Sequence, residues 1–401
     1  MKTRIFWAIA ALSGASGSAT AAPSEVTSEK IRGLLEARNG RVSAAKLSLE
    51  AAGEREGFFF RSFLPSIEAY VAQESFRKGQ RPAKNQPAYG AEAMVNLFNG
   101  GRDYLEGRLR DLETDKRKFS GMKVFAQELE KAYGKYWEVC FLRDKRNLLK
   151  AAIEVNLRNL SSAQRRIKSG VATNSDRFEF EMKDVDLKRE LAETELELES
   201  DSKRLAVLLG LEGQALSFPE DITHDHSFES ILKHSDEEHE FYFRDQEIQA
   251  EQLALTAKSR GRTWWPKVEA YAGVHQFNER EEGFTNAIDR QEKVAGIRLT
   301  LNFPSGGEPI FESAATDREA QAAEAIANYE KKNEEVNIES EVAAIKLLHD
   351  QVHAAEENIK RAEEYYRITQ SEYGRGVKNS PDVLGAAEKL FDMRFKRLAI
   401  L

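Results

Sequence analysis

Four segments of the chain alternate apolar and polar residues, and they fall into two pairs. In the first segment, Ile67 and Val71 lie on one face, and Glu68 and Glu74 lie on the other. A period of two predicts β-strands, and each is about ten residues long, the length of a tilted membrane strand. We therefore predict β-hairpins at about residues 66–99 and 267–303, the first with a polar loop over 77–90. Hairpins packed on the surface of a soluble core are the alternative.

Long stretches with helical periodicity follow each hairpin. From Arg102 to Lys168, apolar residues recur near every 3.5 positions and then shift phase, which predicts a coiled coil with a stutter. At 1.5 Å per residue this helix is about 100 Å long. Further helices are predicted over 25–60, 175–209, 312–371 and 381–401, and turns at 169–171 and 375–377 join the long helices into hairpins.

The sequence also contains an internal repeat. Phe63-Leu64-Pro65 and Glu68-Ala69-Tyr70 return as Trp264-Trp265-Pro266 and Glu269-Ala270-Tyr271, with one constant offset in residue number. Further along, Gly100-Gly101, Gly170-Val171 and Asp176 return as Gly306-Gly307, Gly376-Val377 and Asp382, with a second, slightly larger offset. A constant offset on each side of one five-residue insertion indicates duplication of a whole structural unit.

The repeat divides the chain into four parts. Residues 1–21 read as a secretory signal peptide, with a basic start, an apolar run and the cleavage site Ala19-Thr20-Ala21. The first repeat covers 22–212 with its helical hairpin at 102–209, a connector covers 213–243, and the second repeat covers 244–401 with its helical hairpin at 310–401. The last helix is shorter than its counterpart, because Leu401 corresponds to Glu195, and whether the chain continues beyond Leu401 stays open.

Composition narrows the function. A net charge of −8 argues against nucleic-acid binding, which needs basic patches. A charged content of 31% is typical of long, exposed helices. Cys140 is the only cysteine, so an intrachain disulfide is impossible, and we predict a packing role for it.

Neither an enzymatic nor a cofactor site is predicted. His349 and His353 have the spacing of a zinc-binding helix, but Asp350 stands where a glutamate base is needed, and no third ligand is evident. We interpret them as a solvated helix face, with a zinc hydrolase as the weaker hypothesis. The connector histidines, which are interpreted as adventitious metal ligands at most, are His224, His226, His234 and His239.

Four membrane strands cannot close a barrel around a lumen. An open sheet edge in lipid leaves backbone groups unpaired, so closure requires other copies of the chain. Two copies give eight strands, which fill their own interior, whereas three give twelve, which leave a pore. In the same assembly of copies the helical hairpins form a tube, and the sequence therefore predicts a conduit.

These residues resemble the TolC-type outer-membrane efflux proteins over essentially the whole mature chain. The motifs are Phe63-Leu64-Pro65 and Trp264-Trp265-Pro266, Leu97–Gly101 and Asn302–Gly307, and the tip segments Gly170–Asp176 and Tyr373–Leu384. The resemblance implies a mainly helical homotrimer. Its β-hairpins form a twelve-stranded β-barrel in outer-membrane lipid, and its coiled-coil hairpins form a twelve-helix barrel in the periplasm. It also implies two partners, an adaptor (membrane-fusion) protein and an inner-membrane pump of the RND, ABC or MFS type.

The resemblance further implies roles for residues at the helical tips. Hydrogen bonds and salt bridges hold the tip of such proteins shut, and here Asp176 corresponds to the acceptor, Tyr373 to the tyrosine and Asp382 to one pore aspartate. Lys378 stands where an arginine is usual, and Gly385 replaces a second pore aspartate. Asp382 also follows Pro381 at a helix start, so a capping role is the alternative. The residues that correspond to the adaptor-docking tip are Gly170, Val171, Gly376 and Val377.

Two tryptophans and the overall pattern complete the prediction. Trp264 and Trp265 precede a strand, where an aromatic belt at the membrane interface is expected, with core packing as the alternative.

We predict a passive exit duct for a tripartite efflux or type I secretion system. A periplasmic coiled-coil adaptor or scaffold without a pore is the alternative.

Overall fold

The structure is a computed structural model that describes residues 24–56, 59–76, 84–170, 173–222, 241–279, 288–303 and 305–401. The predicted signal peptide, Val171 and the four connector histidines lie outside these ranges. Within the described ranges, no helix has a stretch apolar enough to span a bilayer.

The chain is mainly helical, with four long strands. Before the first long helix come β1 (Ser24–Glu25), α1 (Ser28–Arg38), α2 (Gly40–Arg55), a 3-10 turn (Phe59–Phe63), β2 (Ser66–Phe76) and β3 (Lys84–Asn99). Then follow α3 (Arg102–Lys168), α4 (Asn174–Leu208), β4 (Leu216–Ser217), α5 (Phe241–Gly261), β5 (Lys267–Glu279) and β6 (Ile288–Thr300). A 3-10 turn (Ser305–Gly307), α6 (Glu308–Gly374) and α7 (Ser380–Ile400) complete the chain.

Two compact units divide these elements, and each takes residues from both halves of the sequence. One unit contains the described residues up to Asn39, those from Leu129 to Ile222, and Val352–Leu401. The other contains 40–128 and the described residues from Phe241 to Gln351, with all four long strands. The repeat boundaries 22–212, 213–243 and 244–401 stay a prediction.

The four long strands form one antiparallel sheet in the order β2-β3-β5-β6. Its register places Ile67 opposite Ala93, Ala93 opposite Ala272 and Ala272 opposite Ala295. The two outer strands, β2 and β6, have no further partner among the described residues. The sheet is therefore open on both sides.

The element bounds follow the internal repeat. Helices α3 and α6 each comprise 67 residues. Their first residues, Arg102 and Glu308, are as far apart in residue number as Asp176 and Asp382. The same offset relates the start of α7 to the start of α4. Each helical hairpin is preceded by a glycine pair with positive φ, namely Gly100-Gly101 and Gly306-Gly307. Glycine is the residue that adopts this backbone region without a steric cost, which explains its return in both halves.

Two predictions about the first half were wrong in detail. The predicted helix over 25–60 is broken at Asn39, whose backbone is extended and whose buried side-chain amide donates to the Leu208 carbonyl at 2.9 Å. The predicted loop over 77–90 is shorter, because β3 already begins at Lys84 and pairs residue by residue with β2. Strand pairing thus overrides the local effect of Pro87 and Gly90.

A polar network inside the first unit holds the segment after α4. Strand β4 pairs with β1, and Glu220 then accepts hydrogen bonds from the backbone and hydroxyl of Ser28 and from the Tyr136 hydroxyl at 2.7 Å. Burial works to raise the pKa of Glu220, but the hydrogen bonds from Tyr136 and Ser28 outweigh it and lower that pKa. The sequence pattern gave no sign of this network, because its members are far apart along the chain.

Candidate functional sites at the helical tips and on the sheet

The turns between the long helices end in matching capping boxes. Thr173 donates through its backbone N–H to Asp176 Oδ2 at 2.9 Å, and Asn379 does the same to Asp382 Oδ2 at 3.2 Å. The Asn379 side chain accepts in return from the Asp382 backbone N–H at 3.2 Å. An acidic side chain in the first turn also interacts favourably with the helix dipole. The capping role that the sequence left open for Asp382 is therefore present.

The two tips of one protomer meet at a serine. Ser380 is fully buried at the start of α7, and its hydroxyl contacts Asp176 Oδ1 and, at 2.7 Å, Glu179 Oε2. Asp176 and Glu179 belong to α4, so this contact joins the two helical hairpins. We call Thr173, Asp176, Glu179 and Ser380 the tip clasp.

The tip clasp favours a charged Asp176. Burial works to raise the pKa of this carboxyl. Hydrogen bonds from the Ser380 hydroxyl and backbone and from Thr173 outweigh that effect, and the pKa lies below its ordinary value of 3.8. Hydrogen bonds to the ionised form are the usual reason for such a decrease.

Tyr373 lies beneath the tip clasp in an apolar core. It is buried with Ala163, Phe180 and Val383, and its ring meets that of Phe180 edge to face at 6.4 Å. The Arg166 guanidinium lies 4.0 Å above the Tyr373 ring. The Tyr373 hydroxyl makes no hydrogen bond within the described part of this protomer, and burial raises its pKa.

Lys378 and the described residues of the predicted docking tip are exposed. Lys378 is exposed and makes no ion pair with the described residues. Gly170 and Gly376 have φ of 74° and 83°, and Val377 is 69% exposed. The structure thus joins Asp176 to Ser380, places Tyr373 nearby, and leaves Lys378 and the tip glycines on the surface. The gate and docking roles stay predictions.

The sheet has two chemically different faces. One face carries small and branched apolar side chains, and several are exposed, including Ile67 at 75% and Val71 at 87%. The other face is polar, with Glu68 opposite Glu92 and the Tyr70 hydroxyl 2.8 Å from His275 Nδ1. Arg298 lies over the Tyr271 ring on this polar face at 4.7 Å.

Trp264 and Trp265 lie just before β5. Their indole rings meet edge to face at 6.4 Å, and they are 53% and 42% exposed. Trp265 also packs against Gly100, where a Cβ atom would lie 2.8 Å from the Trp265 Cβ. The pair is therefore anchored on one side and open on the other, as an interfacial aromatic pair would be. Its membrane role stays a prediction.

Comparison with known proteins agrees with the sequence resemblance. The family model described as Outer membrane efflux protein matches residues 238–399. No curated protein is similar enough in sequence to match the chain.

Solved structures match the fold over nearly the whole chain. The outer membrane protein VceC from Vibrio cholerae is 14% identical, with 93% of this chain and 92% of that chain covered at a TM-score of 0.75. The CmeC outer membrane channel of Campylobacter jejuni is 13% identical, with 93% and 82% covered at a TM-score of 0.75. The MtrE outer membrane channel of Neisseria gonorrhoeae is 15% identical, with 93% and 85% covered at a TM-score of 0.68. The second half of the chain therefore matches the outer membrane efflux protein family, and nearly the whole chain shares the fold of these solved outer membrane channels.

Proposed function

We propose that three copies of this chain form a channel-tunnel that is embedded in the outer membrane and extends into the periplasm. It acts as a passive exit duct in a tripartite efflux or type I secretion system. The observation that carries this proposal is the four-stranded sheet, with one exposed apolar face, one polar face and two edges that have no partner strand among the described residues.

Each feature of the sheet fits a share of a membrane barrel. An exposed Ile or Val on a sheet face is unfavourable in water and favourable against lipid chains. Unpaired backbone groups at β2 and β6 are costly in lipid and are satisfied when a neighbouring copy adds a strand. The polar face, with Glu68 and Glu92, then lines an aqueous lumen.

The tips of the helical hairpins are the proposed gate. In this proposal Lys378 and Asp382 contact a neighbouring copy, and Tyr373 and Asp176 set the position of the two hairpins within one copy. The exposed turns with Gly170, Gly376 and Val377 supply the surface for an adaptor protein, which connects the duct to an inner-membrane pump. The pump supplies the energy for transport, and the duct itself is passive.

A scaffold protein without a pore is the second candidate. Such a protein would keep its strands in a compact β domain of its own, with the apolar face covered. Here the strands of both hairpins share one sheet, and the side chains of Val71, Ile297 and Leu299 on its apolar face are between 62% and 87% exposed. This exposure favours the channel.

Planar-bilayer recording tests the channel and its gate together. We expect the purified protein to conduct ions, and Tyr373→Phe combined with Lys378→Ser to raise single-channel conductance, because the variant removes the Lys378 charge that contacts a neighbouring copy in the proposed gate. Tyr365→Phe with Lys389→Ser is a matched control, since Lys389 lies 6.0 Å from the Tyr365 ring away from the turns. Equal conductance of the two double variants would contradict the gate, and an absence of conductance would contradict the channel.

A further inference from the structure

Two asparagines interrupt the apolar core above the helical tips. The buried residues on this part of α3 recur at alternating spacings of three and four, as in a coiled-coil seam, and are Leu149, Ala152, Asn156, Asn159 and Ala163. On one side of the asparagines, Leu149 packs with Phe391, and on the other side Ala163 packs with Tyr373. Amide groups therefore occupy two consecutive core positions between two apolar clusters.

A cleft of about 260 Å³ lies at this interruption. Helices α3 and α4 of the first helical hairpin line it together with α7 of the second. Its apolar walls are formed by Val155, Leu187, Leu384, Ala387, Phe391 and Phe395. The gap arises in part because Ala152 and Ala387 fill less space than the leucines that are usual in such a seam. A molecule in this cleft would contact both helical hairpins of the protomer.

Asn156 offers such a molecule an unused hydrogen-bond acceptor. The residue is 4% exposed, and its Nδ2 donates to the Phe180 carbonyl at 2.8 Å, which fixes the orientation of the amide. Its Oδ1 is buried and accepts no hydrogen bond from the described residues. Asn156 lines the cleft and Phe180 does not, so Oδ1 is the amide atom left for an occupant. A buried acceptor without a donor is unfavourable.

The charged groups around the cleft already have partners. Its three carboxylates each pair with a lysine, at distances of 3.4, 2.5 and 2.7 Å: Glu190 with Lys145, Glu388 with Lys183 and Asp392 with Lys396. No unpaired charge is therefore left to attract an ion, and burying a charge against the apolar walls would be costly. The cleft favours an uncharged molecule.

The asparagines are not part of the duplicated scaffold. With the larger of the two repeat offsets, the counterparts of Asn156 and Asn159 in the second half are Ala362 and Tyr365. Ala362 is buried, so the equivalent helix packs without an amide at this position. A polar residue in a coiled-coil seam lowers stability and needs another reason. Fixing the register of the helices is one such reason, and binding a molecule is the other.

We propose that the cleft binds a small, uncharged aromatic molecule whose single N–H or O–H group donates to Asn156 Oδ1. An apolar cavity of about 150 Å³ holds benzene, so a cleft of about 260 Å³ accommodates two fused rings. The rings of Phe391 and Phe395 supply aromatic contacts. The bound molecule holds α7 against α3 and α4 and opposes their separation. Its effect on the channel rests on the proposed function, whereas the binding itself does not.

Equilibrium dialysis of the detergent-solubilised full chain tests the binding. The probe is 2-naphthol, which is uncharged at neutral pH, and the matched compound is 2-methoxynaphthalene, which has the same rings but no donor. Asn156→Leu removes the acceptor at similar volume. Ala387→Phe and Val155→Phe fill the cleft from two different helices, so one serves if the other does not fold. They also measure how much of each compound the detergent takes up.

We expect the natural chain to bind one 2-naphthol per copy and to prefer it to 2-methoxynaphthalene by about five- to tenfold, because only 2-naphthol donates a hydrogen bond. Asn156→Leu should remove this preference. Both filled variants should reduce the uptake of 2-naphthol to that of the detergent. Equal uptake by the natural chain and the filled variants would overturn the site. An unchanged preference in Asn156→Leu would overturn the role of its acceptor.

Planar-bilayer recording separates the site from the proposed function. We expect 2-naphthol to lower the single-channel conductance of the natural chain but not that of Ala387→Phe. Unchanged conductance of a chain that binds 2-naphthol would contradict the effect on the channel. A chain that conducts and binds no 2-naphthol would remove the site and leave the proposed function. A chain that binds 2-naphthol and does not conduct would do the reverse.

Discussion

One buried hydroxyl takes part in the contact between the two helical hairpins of a protomer. Ser380 is fully buried and contacts the carboxylates of Asp176 and Glu179, whereas most other polar groups at the tips face solvent. A hydrogen bond to a charged group is worth more than one between neutral groups, and its loss leaves a partly buried carboxylate less satisfied. The tip clasp is therefore the contact whose removal should affect the tips most.

We expect Ser380→Ala to weaken the tip by about 1–3 kcal/mol, because Asp176 loses a hydrogen-bond donor. Hydrogen exchange at the start of α4 and α7 should accelerate correspondingly, by about tenfold for each 1.4 kcal/mol. Ser169→Ala is the control, since the Ser169 hydroxyl is exposed and donates locally to the Arg166 carbonyl at 3.0 Å. Equal exchange rates in the two variants would contradict the clasp.

The charge on Asp176 makes the tip clasp sensitive to acid. Its pKa is lowered in the folded chain, so its hydrogen bonds stabilise the tip at every pH above the ordinary value of 3.8. That stabilisation is lost only as the pH falls through the folded pKa, which lies lower still. We expect the contribution of Asp176 to channel conductance to be constant between about pH 7 and 5. Below about pH 4 the conductance should rise.

The variant Asp176→Asn isolates this contribution. It should show a higher conductance at neutral pH and a smaller further rise below about pH 4 than the natural chain. Conductance recorded as a function of pH makes the comparison. A change between pH 7 and 5 that is present in the natural chain and absent in the variant would show that Asp176 has a raised pKa instead.

Sequence motifs located Asp176 and Tyr373 at the tips but did not reveal Ser380. The serine precedes Pro381 at a helix start, where a serine is ordinary, and nothing local marks it as buried. It becomes important because packing brings it to Asp176, which is distant from it along the chain. Tyr373 packs in an apolar core, and the spacing of the motif does not indicate this role.

At the scale of elements, periodicity predicted most of what the structure contains. The two long helices lie within a few residues of their predicted bounds, because no proline or glycine run interrupts them. The break at Asn39 was missed, since its cause is a hydrogen bond to the distant Leu208 carbonyl. The β1–β4 pair was missed too, because such short strands carry no periodicity.

The two sheet faces predict opposite effects of the same substitution. Ala93 lies on the apolar face in the central strand β3, and its neighbour Glu92 points to the polar face. We expect Ala93→Arg to cost about 2–4 kcal/mol of stability in the membrane, because it places a cation against lipid. Glu92→Arg should be tolerated, since it faces water and removes the repulsion with Glu68.

Urea titration of the protein folded into lipid vesicles measures both variants. Recovery in the outer-membrane fraction gives a second readout in cells. If Ala93→Arg and Glu92→Arg were equally stable, the apolar face would not be the lipid face, and the assignment of the sheet to the membrane would be wrong.

At the scale of the whole molecule, the duplication seen in the sequence is also the rule that explains the structure. Both offsets between the repeated motifs reappear in the strand register and in the helix bounds, so each half supplies one β-hairpin and one helical hairpin. The sequence predicts that other copies of the chain pair with the free edges, and this pairing stays part of the proposal. The central claim is that one chain provides a third of a closed barrel.

The most direct test is the mass of the detergent-solubilised complex by native mass spectrometry or light scattering corrected for detergent. We expect a single species with three times the mass of the mature chain, stable on dilution because the sheet edges of each copy are paired. A monodisperse monomer, in which both edges of the sheet pair with segments of the same chain, would contradict this claim.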